Sequence, residues 1–205
     1  MRITDIKRQK RDGYYSVFVD DEFRFSLTDL ALSSGGLRVG QELTEADVEA
    51  WRKQSGESKA LGYGYRYLAS RARSSSELGA YLRRKGFEPT EIAYVIKRFT
   101  EERLIGDEQF AKDWVDMRQR SSPRSKQRLT AELRQKGLSS GDIDDALVLL
   151  DANQTTTITR IIESKRLGDK YRNEPSKLVA YLARQGFGYS DIKNAINSLN
   201  IGDTD

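Results

Sequence analysis

The stretch Leu78-Gly-Ala-Tyr-Leu-Arg-Arg-Lys-Gly-Phe87, continued by Glu88-Pro-Thr-Glu-Ile92, decides the architecture because its pattern returns twice downstream with unchanged spacing. Two leucines four residues apart share one helical face, and a glycine four residues later is typical of a left-handed helix end. The matched positions are Leu78, Leu82, Gly86, Phe87, Ile92, Val95 and Ile96 in the first copy, Leu129, Leu133, Gly137, Leu138, Ile143, Ala146 and Leu147 in the second, and Leu178, Leu182, Gly186, Phe187, Ile192, Ala195 and Ile196 in the third.

Each copy predicts a unit of three helices. A polar link follows each glycine, and the apolar residues beyond it have the spacing of a second helix. A further amphipathic stretch precedes each copy, at Leu61–Leu68, Phe110–Val115 and Ile158–Ile162. The repeat period is close to 50 residues, and tandem units of that size stack on one another. The sequence therefore predicts a mainly α fold, a tandem array of three-helix repeats that is elongated and curved.

The composition excludes several classes of function. The chain has no cysteine and no histidine, which removes thiolate and imidazole catalysis and zinc sites with sulfur ligands. It has no phosphate-binding glycine loop and no apolar run long enough to span a membrane. We therefore expect a cytoplasmic monomer that is not an enzyme, with no cofactor, no metal and no membrane contact.

The first 27 residues alternate in the manner of β-structure. The predicted strands are Ile3–Lys10, Tyr14–Val19 and Phe23–Leu27, with turns at Asp12-Gly13 and Asp20-Asp21. This pattern predicts a small antiparallel sheet of three strands.

The segment after the sheet predicts short helices. Thr28–Leu32 has the pattern of a helix before a turn at residues 33–36, and residues 37–43 are expected to be extended. Thr44 with Asp47 forms a capping box for a helix through Trp51, and Ser55-Gly56 is interpreted as the junction to the repeats. Ser74 with Glu77 predicts a second capping box.

The later repeats give further start signals. Ser122 followed by Pro123 predicts the start of the middle helix of the second repeat. The third repeat begins near Gln154 in spite of the β-branched residues that follow. The predicted domains are an N-terminal β-hairpin region at 1–57, repeats at 58–106 and 107–153, and a third repeat with a short acidic tail at 154–205.

Two motifs resemble the RecX family of recombination regulators. The first is Tyr67-Leu68-x-x-Arg71-x-Arg73-Ser74-x-x-Glu77-Leu78-x-x-x-Leu82-x-x-x-Gly86. The second is Leu104-Ile105-x-Asp107-Glu108-x-Phe110-Ala111, with Arg118 beyond it. The chain departs from the family pattern at Gly106, where a polar residue is more common.

The resemblance implies a protein that binds the RecA recombinase filament on single-stranded DNA and dampens RecA's strand exchange and ATP hydrolysis. We also expect weak binding of single- or double-stranded DNA. Two alternatives stay open on the residues alone. One is a stand-alone DNA-binding protein of winged-helix type, in which the hairpins act as the wing, and the other is a generic helical scaffold for another protein.

The contact surface is predicted in the basic part of the chain. Residues 60–199 carry a net charge of +7, and the window from 118 to 136 has seven cations against the single acid Glu132. Cations at the start of a helix are suited to phosphate groups. The resemblance adds two arginines of the first repeat. The candidate partner and nucleic-acid contacts are Arg118, Arg120, Arg124, Lys126, Arg128, Arg134, Lys136, Arg71 and Arg73.

Aromatic residues have two interpretations. Tyr63, Tyr65 and Tyr67 lie among basic residues and could stack on bases, but their helical spacing favours packing in the core, most of all for Tyr67. Trp114 lies on an apolar stripe, and we assign it no functional role.

Overall fold

The computed structural model describes residues 1–10, 13–148, 150 and 154–201. Helices dominate this part of the chain, and the single sheet is N-terminal. The predicted mainly α fold with a small antiparallel sheet is confirmed. The elements are β1 (Ile3–Arg8), β2 (Tyr14–Val19), β3 (Glu22–Thr28), α1 (Asp29–Gly35), α2 (Glu45–Leu68), α3 (Ser75–Arg84), α4 (Pro89–Glu101), α5 (Asp107–Ser121), α6 (Lys126–Gln135), α7 (Ser140–Val148), α8 (Thr155–Ser164), α9 (Leu167–Tyr171), α10 (Pro175–Arg184) and α11 (Tyr189–Ser198).

The chain divides into two compact units. The first contains Met1–Arg73 and Leu78–Leu104, and the second contains Ser74–Glu77 with the chain from Ile105 onward. The second unit thus includes the first turn of α3. The domain boundaries predicted at 57/58 and 106/107 stay predictions. The boundary at 153/154, the turn at Asp12 and the acidic tail after Ile201 lie outside the described residues.

The sheet of the first unit has the strand order β1-β2-β3 with antiparallel neighbours. Val17 of β2 lies between Ile6 of β1 and Phe25 of β3, so these side chains share one face. That face is the core side, where Val17 and Phe25 are buried and the Trp51 ring stacks on Phe25 at 6.4 Å. The strand alternation therefore fixes which face of the sheet α2 covers.

The segment from residue 28 to residue 68 differs from its prediction. The capping box of Thr44 and Asp47 is confirmed, but α2 does not end at Trp51, and the predicted junction at Ser55-Gly56 is wrong because both residues lie inside α2. A side chain at Gly56 would collide with the carboxylate of Glu91. This glycine therefore permits a close approach between helices and does not mark a loop.

The predicted turn at residues 33–36 is also wrong in part, because α1 continues through Gly35. The Ser34 hydroxyl donates to the carbonyl of Leu30 at 2.7 Å, which satisfies the serine within the helix. Gly36 then ends the helix in the left-handed region at φ +62°.

The second unit has two hydrophobic clusters, one for each of its repeats. The cluster of the second repeat is formed by α5, α6 and α7, and that of the third by α8 to α11. The leucines predicted from the repeat pattern are fully buried: Leu129, Leu133, Leu178 and Leu182. The three helices per repeat are confirmed in both, and the third repeat adds the short helix α9, which the sequence did not predict.

The three predicted cap glycines are confirmed. Gly86, Gly137 and Gly186 have φ values of +84°, +77° and +85°. This left-handed conformation costs a residue with a Cβ about 1 kcal/mol or more, which explains glycine at all three positions.

The predicted start of the middle helix of the second repeat, at Ser122-Pro123, is wrong. α6 begins at Lys126, with Ser125 as its N-cap, and Ser122 instead ends α5. Pro123 disfavours a helical conformation at the preceding residue, and Ser122 accordingly has φ −158° and ψ 84°. Because α5 extends to Ser121, Arg118 and Arg120 lie on a helix and not in a link.

Candidate nucleic-acid and partner interface

Arg118 and Trp114 are one helical turn apart on α5 and share an acceptor on α6. Arg118 Nε donates to Glu132 Oε2 at 2.7 Å, and Trp114 Nε1 donates to the same oxygen at 3.0 Å. The Arg118 guanidinium also lies 4.7 Å from the centre of the Trp114 ring. The Glu132 side chain is only 19% exposed, so this ion pair is shielded from solvent.

Arg124 and Lys136 approach the same pair of residues. Arg124 Nε lies 3.8 Å from Glu132 Oε1, too far for a hydrogen bond, and has no other hydrogen-bond acceptor in the described part of the chain. Lys136 Nζ lies 4.8 Å from the centre of the Trp114 ring. The structure thus brings three of the nine predicted contact residues together around Trp114 and Glu132. We call Arg118, Arg124, Lys136, Trp114 and Glu132 the tryptophan cluster.

Three other predicted contact residues are exposed. Arg120 forms an ion pair with Asp116 at 3.5 Å, and both side chains are more than two-thirds exposed, so the pair contributes about 1 kcal/mol or less. Lys126 and Arg134 are exposed, and their side chains have no ion pair with any described residue. A partner can therefore reach Lys126 and Arg134 without breaking an ion pair, and Arg120 by breaking only a weak one.

Buried serines connect helices that are about 60 residues apart in the chain. The Ser125 hydroxyl accepts from Arg128 N at 3.2 Å and donates to the carbonyl of Gln185 at 2.7 Å. Arg128 donates from a terminal guanidinium nitrogen to Gln185 Oε1 at 2.6 Å. We call Ser125, Arg128 and Gln185 the second serine joint.

An equivalent set of residues lies earlier in the chain, within the second unit. The Ser74 hydroxyl accepts from Glu77 N at 3.1 Å and donates to the carbonyl of Lys136 at 2.6 Å. Lys136 Nζ donates to Glu77 Oε1 at 2.7 Å. We call Ser74, Glu77 and Lys136 the first serine joint. Both hydroxyls are fully buried, so each satisfies a donor and an acceptor that water cannot reach.

The cap glycines of the second and third repeats also permit these joints. A Cβ at Gly137 would collide with the Ser76 side chain, and a Cβ at Gly186 would lie 2.6 Å from Gln127 Oε1. A Cβ at Gly86 would meet nothing within 4 Å. Gly137 and Gly186 therefore have two roles, a left-handed backbone and a close contact, whereas Gly86 has the first role only.

The two predicted arginines of the first repeat lie in the first unit. Arg73 covers the Tyr67 ring at 4.2 Å and donates to the Ser70 hydroxyl at 3.2 Å. The Tyr67 ring in turn stacks on Tyr81 at 4.0 Å with the planes nearly parallel. Arg71 is exposed and donates to the carbonyl of Ala72 at 2.9 Å.

The tyrosines considered for base stacking contact other parts of the first unit. Tyr63 meets Phe87 edge to face at 5.3 Å, and Tyr65 lies 4.7 Å from Phe99. The Tyr65 hydroxyl donates to Glu102 Oε2 at 2.9 Å, and this hydrogen bond to a carboxylate raises the tyrosine's pKa. These contacts favour packing over an open stacking platform.

Sequence reasoning missed Trp114 and Glu132 as organisers of the basic window. Glu132 stands three residues after the first leucine of its repeat, where the other repeats have Tyr81 and Tyr181. An acid at a position otherwise aromatic and half-buried was the available signal that Glu132 has a buried partner.

Other kinds of site are not evident in the described residues. They hold no cluster of three or more acidic, histidine or cysteine side chains able to bind a metal ion. None of the helices in this part of the chain combines the length and the apolar character of a membrane span. What the tryptophan cluster and the exposed cations can do chemically is to bind anions.

The chain matches two family models, both within the repeats. The model described as the first three-helix domain of RecX matches residues 60–99, and that of the second three-helix domain matches residues 107–147. The chain belongs to the RecX family. The family predicted from the motifs at residues 67–86 and 104–118 is thereby confirmed.

Relatives and solved structures are similar over nearly the whole chain. The regulatory protein RecX of Lactobacillus johnsonii is 28% identical over 99% of this chain and 76% of the relative. That of Bacillus subtilis is 28% identical over 96% and 76%. A crystal structure of a regulatory protein RecX, 25% identical, superposes with a TM-score of 0.73 over 96% of this chain and 98% of the other. The relatives' names describe regulators and no enzymatic activity.

Proposed function

We propose that this protein binds the RecA filament on single-stranded DNA and lowers the filament's ATP hydrolysis and strand exchange. Membership in the RecX family is the observation that carries the proposal, because RecX proteins are regulators and the general role of the family is to modulate RecA. The cations of the second repeat support it, since a filament on DNA presents phosphates and acidic side chains.

The exposure and the internal ion pairs of the predicted residues support a narrower choice of contact residues. Arg120, Lys126 and Arg134 are exposed, and of these only Arg120 has a described ion pair, a weak one. Arg118, Arg124 and Lys136 have internal partners and keep the basic surface in place. We propose that the exposed cations contact the filament directly and that the tryptophan cluster positions them.

The test is a RecA ATPase assay on single-stranded DNA with increasing amounts of this protein. We expect ATP hydrolysis to fall in a dose-dependent manner, because a regulator that limits the filament removes active RecA from the DNA. ATP hydrolysis that stays constant up to a large excess of the protein contradicts the proposed function.

A charge-neutralised variant locates the surface in the same assay. Replacing Arg120, Lys126 and Arg134 together by Gln is expected to weaken inhibition of RecA. The free energy of unfolding is expected to change by no more than about 0.5 kcal/mol per substitution. The matched control replaces three exposed lysines of the third repeat by Gln, namely Lys170, Lys177 and Lys193. Equal inhibition by the two variants contradicts the assignment of the surface to the second repeat.

A further inference from the structure

A notch beside the second serine joint is lined by cations from two repeats. Arg124 and Arg128 lie before and within the first turn of α6, and Lys165 follows α8 of the third repeat. Tyr181 of α10 and Gln185, the C-cap of that helix, complete the polar lining. Among the described residues that line the notch, none is acidic.

The polar groups of the notch are arranged as donors. Lys165 Nζ donates to the Tyr181 hydroxyl oxygen at 3.1 Å, which leaves the tyrosine's own O–H free to donate to another group. Gln185 accepts from Arg128 through Oε1, which leaves the amide N–H groups as donors. A site with three cations and two neutral donors is suited to an oxyanion.

The positive charge and the hydrogen-bond donors of the notch come from side chains and not from the backbone at the start of α6. Lys126 N already donates to Gln154 Oε1 at 2.9 Å, and Arg128 N donates to the Ser125 hydroxyl at 3.2 Å. The site therefore depends on residues that substitution can remove one at a time.

Glu132, the acid that Arg124 approaches, does not neutralise the notch. Glu132 already accepts hydrogen bonds from Arg118 and Trp114, and its other oxygen is 3.8 Å from Arg124. Arg128 faces the neutral Gln185, and Lys165 faces the neutral Tyr181 hydroxyl. Two of the three cations therefore keep their full charge toward solvent.

We propose that this notch binds a phosphodiester group of single-stranded DNA, with Arg128 and Lys165 against the phosphate oxygens and the Tyr181 hydroxyl donating to one of them. The inference rests on the proposed function, since the strand is the one in the filament, and adds Lys165 and Tyr181 of the third repeat to its contacts. A nucleic-acid strand is favoured over an acidic protein segment because exposed cations also stand near the notch residues in the chain, at Arg120 and Lys126. A strand offers a phosphate at every nucleotide, so one strand can meet several of these cations in turn.

The test measures binding of a single-stranded oligonucleotide by fluorescence anisotropy at several salt concentrations, without RecA. Lys165→Gln is expected to weaken binding and to flatten the plot of log affinity against log salt by about 0.7, the value for one phosphate contact on a single strand. Lys193→Gln is the matched control, because Lys193 lies in the same repeat and over a tyrosine ring, Tyr189, at 5.3 Å, as Lys165 lies over Tyr181 at 5.9 Å. The control is expected to leave the slope unchanged.

Tyr181→Phe is a second variant, which keeps the ring and removes the hydroxyl. We expect weaker binding with the parent's slope, because a neutral donor is lost and the cations remain. Equal slopes for Lys165→Gln and the parent overturn the proposal, as does a parent that binds no oligonucleotide at low salt. If Lys165→Gln impairs only RecA inhibition, the notch contacts protein and the phosphate assignment is wrong. A parent protein that binds the oligonucleotide but does not inhibit RecA contradicts the proposed function and leaves the notch supported.

Discussion

At both serine joints a buried hydroxyl caps one helix and donates to the final carbonyl of another, yet the charged residues beside the two hydroxyls differ. The first joint pairs Glu77 with Lys136, whose side chains are 17% and 20% exposed, so its charges cancel. The second joint pairs Arg128 with Gln185 and retains a positive charge. Glu77 and Arg128 stand at the same position of their repeats, one residue before the first leucine, which is Leu78 or Leu129.

This difference separates what the fold requires from what binding requires. Serine, glycine and the leucines recur because each fills a buried or left-handed position, as at Ser125 and Gly186. The charges at the joint are free to vary. The residue before the first leucine is Glu77 in one joint and Arg128 in the other, and its partner is Lys136 or Gln185. We infer that the hydrogen bonds hold the joints together and that the charge beside them determines which joint attracts an anion.

The largest effect is expected from removing a joint hydroxyl. Ser125→Ala and Ser74→Ala each lose a helix cap, which costs roughly 0.5–2 kcal/mol. Each also leaves a carbonyl in the joint without its donor, at about 1–3 kcal/mol. We expect urea unfolding to show a loss of about 2–4 kcal/mol for either variant.

Ser139→Ala is the matched control for this prediction. Ser139 accepts from Asp142 N at 3.1 Å as a helix cap, but it is exposed and belongs to neither joint. Its loss is expected to cost about 1 kcal/mol. If Ser125→Ala and Ser74→Ala cost no more than Ser139→Ala, the hydrogen bonds to Gln185 and Lys136 do not stabilise the joints.

The helix caps could be predicted from the sequence, whereas the hydrogen bonds across the joints could not. The capping boxes at Thr44 and Ser74 and the three glycine caps were predictable because each depends on residues within about four positions. The break at Ser55-Gly56 was wrong because the reason for glycine there is Glu91, 35 residues away in the chain. A local pattern cannot distinguish a glycine that ends a helix from one that admits a neighbour.

The same limit applies to the candidate interface. The excess of cations between residues 118 and 136 was evident in the sequence, but which of them are paired depends on contacts across 14 to 59 residues, such as Arg118 with Glu132 and Lys136 with Glu77. Ser122-Pro123 gave a strong start signal, and Ser125 has the role instead because its hydroxyl also reaches Gln185. Contact with another repeat overrides the local preference there.

A smaller effect is expected from Glu132→Gln. Glu132 stands where the third repeat has the neutral Tyr181, so this change removes the acid of the tryptophan cluster and leaves Glu77 as the acid of the first joint. The side chain keeps an acceptor for Trp114 and loses its charge toward Arg118 and Arg124, which we expect to cost about 1–2 kcal/mol in urea unfolding. The positive charges of the two arginines are then no longer neutralised by Glu132. Single-stranded DNA binding should therefore tighten and depend more steeply on salt.

Glu108→Gln serves as the control, because Glu108 forms only a surface pair with Lys112 at 2.6 Å. Pairs of this kind contribute about 1 kcal/mol or less. A Glu132→Gln protein that is as stable as Glu108→Gln, with unchanged DNA binding, would show that the tryptophan cluster does not restrain its arginines.

The most direct measurement compares the parent with Gln185→Glu in single-stranded DNA binding across a salt series. This substitution is nearly isosteric, retains the acceptor for Arg128 and gives the second joint the ion pair that the first joint already has. Stability is expected to stay within about 1 kcal/mol of the parent's, since the new pair is partly exposed. DNA affinity should fall, and the slope of log affinity against log salt should flatten by about 0.7. An unchanged slope and affinity in a folded Gln185→Glu protein would contradict the claim that the second joint holds positive charge available to nucleic acid.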